Sequence, residues 1–152
     1  MRKKTILCFL FPVLFFLSCG REEMRQTIPY APVNFTVDLN RFDHSLNNPL
    51  TYKIFRKDNK RTPTDRVGLG GLLIISSIDG NRLFAFDLAC PCSGNPSVTI
   101  TPNNNGEAFC ASCNSVFITS LGRGTVKSGN APAHLQRYNV FPQGGGVFIV
   151  RH

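Results

Sequence analysis

Leu83-Phe84-Ala85-Phe86-Asp87-Leu88-Ala89-Cys90-Pro91-Cys92 is an apolar run that ends in two cysteines. Further along, Cys110-Ala111-Ser112-Cys113 supplies a second closely spaced pair, followed by Asn114-Ser115-Val116-Phe117. Two short turns that each carry two thiols suit a four-ligand metal site, because each turn can aim two thiolates at one centre. Between the pairs lies Asn103-Asn104-Asn105-Gly106, a turn sequence that lets the chain double back and bring the two loops together.

Outward from this stretch the chain reads as strands separated by turns. Asp79-Gly80-Asn81 precedes Arg82–Leu88 and follows the β-branched run Leu72–Ile78, which is a hairpin signal. Val33, Phe35, Val37 and Leu39 alternate with polar residues, as in a half-buried strand. Further strands are expected at Tyr52–Phe55, Val98–Ile100, Glu107–Phe109, Val116–Thr119, Leu135–Phe141 and Val147–Val150. No segment keeps a helical period over ten residues, and proline and glycine recur at short intervals. The expected fold is all-β, an antiparallel sandwich or barrel with a small two-loop metal-binding subdomain. Gly68-Leu69-Gly70-Gly71 precedes a strand and no helix, so it reads as a flexible strand entry, not a phosphate loop.

The N-terminus has a different layout. Arg2, Lys3 and Lys4 precede a mostly apolar run from Ile6 to Leu17, and Ser18-Cys19-Gly20 follows. The run is too short to span a bilayer and has the order of a secretory signal. Phe16-Leu17-Ser18-Cys19 resembles a bacterial lipobox, with Phe16 where leucine is usual. The resemblance implies cleavage before Cys19 and a lipid on that cysteine. Residues 1–18 then form the signal peptide, 19–29 a lipidated tether that lets the domain swing between partners, and 30–152 one domain. The expected location is the cell envelope, membrane-held through lipid, facing the periplasm or the cell surface. Gly20-Arg21-Glu22-Glu23 is similar to the surface-export signal of some Bacteroidetes lipoproteins.

Loss of the three signal-peptide cations lowers the formal net charge from +8 to +5. Lys53, Arg56, Lys57, Lys60, Arg61 and Arg66 cluster in a polar segment that reads as a solvated loop. Outside the cytoplasm this points away from nucleic acid and toward an acidic partner or an anionic surface.

The two cysteine loops resemble those of the Rieske iron–sulfur family. There, a strand ending in Phe-Asp runs into Cys-Pro-His, and a second loop reads Cys-x-x-His followed by a small residue, serine and an aromatic. Gly122 fits the family's turn, Ser128-Gly129-Asn130-Ala131-Pro132-Ala133 resembles its proline loop, and Tyr138–Val140 with Val147–Val150 resembles its closing hairpin. The resemblance spans roughly 70 to 150. It departs at the centre, since Cys92 and Cys113 stand where the family has its histidine ligands. It implies a [2Fe–2S] cluster held by Cys90, Cys92, Cys110 and Cys113, with Pro91, Ser115, Phe117 and Pro132 around it. Four thiolates add negative charge, so the potential is expected to fall from about −150 to +300 mV toward about −400 mV. Two alternatives stay open from the residues alone: a Zn²⁺ site with the same four ligands, or two cross-loop disulfides in an oxidising compartment.

Of the histidines, His44 lies in a polar loop, His134 follows the proline loop, and His152 reads as a disordered chain end. No nucleophile–base arrangement or carboxylate pair has catalytic spacing. The expected role is electron transfer with a redox protein partner, not catalysis; the competing role is a non-redox interaction domain stapled by its cysteines.

Overall fold

A computed structural model describes residues 27–152; residues 1–26, including the signal segment and Cys19, lie outside the described residues. The strands are β1 (Val33–Asp38), β2 (Tyr52–Phe55), β3 (Arg66–Val67), β4 (Leu72–Ser76), β5 (Leu83–Asp87), β6 (Thr101–Pro102), β7 (Glu107–Cys110), β8 (Ser115–Ile118), β9 (Thr125–Ser128), β10 (Arg137–Gly144) and β11 (Val147–Arg151). The helical content among the described residues is a single 3-10 turn, His44–Asn47. Seven strands form one antiparallel sheet in the order β2-β4-β5-β10-β11-β1-β3, and four form a smaller one in the order β6-β7-β8-β9. The all-β expectation holds.

Two cores share one wall. From β4, Leu72 and Ile74 point into the first core with Phe35, Val37, Phe55, Tyr138 and Val150. Leu73 and Ile75 point the other way, into a second core with Phe84, Phe86, Ile100, Phe117 and Leu135. Both β4 and β5 are buried along their whole length, which is why they read as continuous apolar runs and not as alternating ones. The second core fastens the small sheet to the large one. Cys90 and Cys110 belong to it.

The Asp-Gly hairpin forms as expected: Ser76 pairs with Leu83, Gly80 takes φ +73, and Gly80 N donates to Ser77 O at 3.0 Å. Val98–Ile100 pairs with the continuation of β5 through an Ala89–Thr99 bridge, with Cys90 N on Val98 O and Ile100 N on Leu88 O, both 2.8 Å.

Three expectations are corrected. Arg61 and Lys53 do not belong to a purely solvated loop. Both reach the fully buried Asp43, with Arg61 Nη1 at 2.9 Å from Oδ2, Arg61 Nη2 at 2.5 Å from Oδ1, and Lys53 Nζ at 3.0 Å. The Arg61 guanidinium lies over the Phe35, Phe42 and Phe55 rings at 5.0, 5.2 and 4.8 Å, so aromatic faces from β1, the turn after it and β2 add to its hold. Next, the Gly68–Gly71 segment is pinned, not flexible: Leu69 N and Gly70 N donate to the buried Asp87 carboxylate at 2.7 and 2.9 Å. Gly68 has φ +81, and a Cβ there would collide with Asp87 and Tyr138, so only glycine fits this wrap. Finally, His152 is ordered. Its ring stacks on Tyr30 at 4.8 Å and meets Tyr138 edge-on at 5.4 Å, which joins the two ends of the domain.

The segment read as a tether also touches the domain. Thr27 N donates to Gln136 Oε1 at 2.9 Å, Ile28 is buried, and Pro29 lies beside Gly94.

Candidate metal centre

The first cysteine loop leaves the end of β5. Its exit is set by Asp87, which also accepts from Ala89 N at 2.7 Å and from Tyr138 Oη at 2.6 Å. One buried carboxylate therefore holds the glycine segment, β10 and the residue before Cys90 together. With four donors on it, the burial of this acid is offset by hydrogen bonds. Beyond Cys90 the chain turns tightly, with Ser93 N and Gly94 N both on Cys90 O at 3.3 Å. That turn brings Cys92 back beside Cys90.

The second loop is the β7–β8 turn. Cys110 closes β7 and pairs with Ser115, the first residue of β8. Asn114 has φ +52, a left-handed conformation that asparagine tolerates and that swings Cys113 over Cys110. The four sulfur atoms lie within 4.8 Å of one another, and Cys90 Sγ is 3.6 Å from Cys113 Sγ. All four are free thiols. Cys90 and Cys110 are buried, whereas Cys92 and Cys113 are half-buried at the outer edge. The sequence-derived quartet is thus one cluster.

Their acidities differ. Burial pushes the Cys90 thiol above its ordinary range, and burial likewise raises Cys92. Burial also acts against the Cys113 thiolate, but hydrogen bonds from Ser115, Cys92, Cys90 and Cys110 outweigh it and bring Cys113 down to about 7. Cys113 Sγ is 3.2 Å from Ser115 Oγ. Once Cys113 is a thiolate, the serine hydroxyl is the only donor that pair has. Deprotonated together, the four sulfurs would form a soft donor set suited to a tetrahedral metal ion or iron–sulfur unit.

The surrounding residues fall into place unevenly. Pro91 is buried between Cys90 and Cys92. Phe117 is fully buried in the core beneath Cys90 and Cys110. The 128–133 loop reaches the site through Ala131, whose N–H donates to Ser115 Oγ at 2.9 Å, while Pro132 is exposed. Gly129 permits this approach, since a Cβ there would strike Asn114 and Ser115. His134 is outside the cluster, exposed, with Nδ1 accepting from Val126 N at 3.4 Å.

No protein-family model matches the chain, and no curated protein matches it either. Among solved structures it is similar to the ferredoxin of carbazole 1,9a-dioxygenase from Nocardioides aromaticivorans IC177. The identity is 15% and the TM-score 0.43, with 78% of this chain and 95% of that one covered.

Sequence reading missed Asp87 as the organiser of the first loop and Ala131 as the contact of the last one. An acid closing an apolar run, next to a glycine-rich segment, was the available signal for Asp87. Nothing local distinguishes Ala131.

Proposed function

We propose that this is a one-electron carrier held outside the cytoplasm, in which Cys90, Cys92, Cys110 and Cys113 bind iron as four thiolates on a Rieske-like frame. The observation behind this reading is the convergence of four free thiols within 4.8 Å. Bound there, iron supplies reversible one-electron chemistry tuned by hydrogen bonds to the sulfurs and by solvent exposure. Cys90 and Cys110, set into the second core, keep water from the inner side. Cys92 and Cys113 offer the outer edge to a redox protein. Ser115 aims its hydroxyl at Cys113 and is itself held by Ala131 N.

The four candidate ligands include no histidine, so iron held there would exchange an electron without an imidazole titrating near neutral pH. A purely structural role for the metal is less well supported, because the small sheet already has Phe117, Ile100 and Leu135 packed beneath it. The signal layout and Cys19 support a lipid-anchored place in the cell envelope. The [2Fe–2S] cluster implied by the loop resemblance and a single thiolate-bound iron would both serve this role.

The test is the full-length chain purified without oxygen in detergent, with iron, zinc and free thiols counted and a redox titration followed by visible absorption. Coloured protein with a reversible one-electron couple is expected. Colourless protein that contains only zinc, or has no free thiols among the four, would reject the carrier.

A further inference from the structure

We infer that the four cysteines form a site for a single tetrahedral ion, and not for the two-iron cluster that the loop resemblance implies. The inference rests on the four-thiolate reading above and fixes how many ions that site takes. In the two-iron arrangement Cys90 and Cys110 share one iron while Cys92 and Cys113 share the other. Cys90 and Cys113 then bind different irons. Their sulfurs would stand roughly 5–6 Å apart, because each iron turns its thiolates away from the bridging sulfides. Here those two sulfurs are 3.6 Å apart, and no pair of the four exceeds 4.8 Å. Thiolates at about 2.3 Å from one tetrahedral ion are separated by about 3.8 Å. The smaller site is the one that the sulfur spacing fits.

The backbone keeps the loops near that spacing. Cys90 is tied through its N–H to Val98 O at 2.8 Å, and its carbonyl receives Ser93 N and Gly94 N. On the other side, Gly129 abuts Asn114 and Ser115, and Ala131 N holds Ser115 Oγ at 2.9 Å. The 128–133 loop thus packs directly against the turn that carries Cys113. The ion class is tetrahedral and thiophilic: Fe²⁺, Co²⁺ or Zn²⁺, whose binding displaces the remaining thiol protons to solvent.

The test uses the full-length chain, reduced and stripped of metal, titrated with Co²⁺ alone. Saturation at one Co²⁺ per chain is expected, with the visible absorption of tetrahedral thiolate cobalt. Cys92→Ser and Cys113→Ser should each weaken binding by at least about tenfold, the size of effect that outer-shell partners alone produce. Parallel reconstitution with iron and sulfide should leave one iron and no acid-labile sulfide per chain. Two irons with two sulfides would overturn this inference and leave the four-cysteine metal reading standing. A chain that takes up neither cobalt nor iron would overturn both. One zinc in the isolated protein would uphold the single-ion site and overturn the electron carrier.

Discussion

Ser115 is the residue on which the outer edge of the centre depends. It starts β8, faces Cys113 Sγ at 3.2 Å, and receives Ala131 N at 2.9 Å. Ser115→Ala removes the hydroxyl that stabilises negative charge on Cys113. In the metal-free chain the Cys113 pKa should rise from about 7 toward the ordinary thiol value, read as thiolate absorbance against pH. In the iron form the same loss should lower the potential, because the reduced state carries the extra negative charge. A hydrogen bond worth about 1 kcal/mol corresponds to about 40 mV for one electron. An unchanged potential would remove Ser115 from the tuning of the site. The cysteines themselves were legible in the sequence, because CPC and CASC place two thiols within a single turn. The partners of Asp87 were not. Tyr138 is 51 positions away, and no local pattern encodes that pairing.

At the scale of elements, the strongest feature is that β4 and β5 serve two cores at once. Phe86 points from β5 into the second core and is fully buried. Phe86→Ala should cost about 3–5 kcal/mol, measured by denaturant unfolding. It should also loosen the small sheet, so metal affinity should fall along with stability. Loss of stability with metal affinity intact would mean that the two sheets are not mechanically linked through this wall. The long strands were legible from their apolar runs and their Gly and Pro boundaries. Arg66–Val67 and Thr125–Ser128 were not: the first is two residues long and the second has no buried side chain, so each is defined by the neighbour it pairs with. Arg61 failed for a related reason: it sits in a basic run, and only the fold brings a buried Asp43 to it.

For the whole molecule, the Asp43 cluster ties the turn after β1 to β2 and to the 56–65 segment. Burial works against the Asp43 carboxylate, yet Arg61, the Asp38 N–H and Lys53 together hold its pKa below the usual value. A pKa lowered by folding gives stability that is complete above the unfolded value of about 4 and is lost as pH falls through the folded value. Acid titration of unfolding should therefore show a loss below about pH 4. Asp43→Asn should flatten that loss and cost about 3 kcal/mol at neutral pH. Equal acid sensitivity in wild type and variant would assign the effect to other carboxylates.

The docking of Thr27 and Ile28 onto the domain has a consequence for where electrons could go. If Cys19 carries the lipid proposed above, the chain length from it to Thr27 sets a limit of roughly 25 Å on the distance between anchor and domain. Pro29 runs beside Gly94, so the first described residues pass next to the first cysteine loop. The centre would ride close to the bilayer, and its encounters would be a two-dimensional search among membrane neighbours instead of a reach across the envelope.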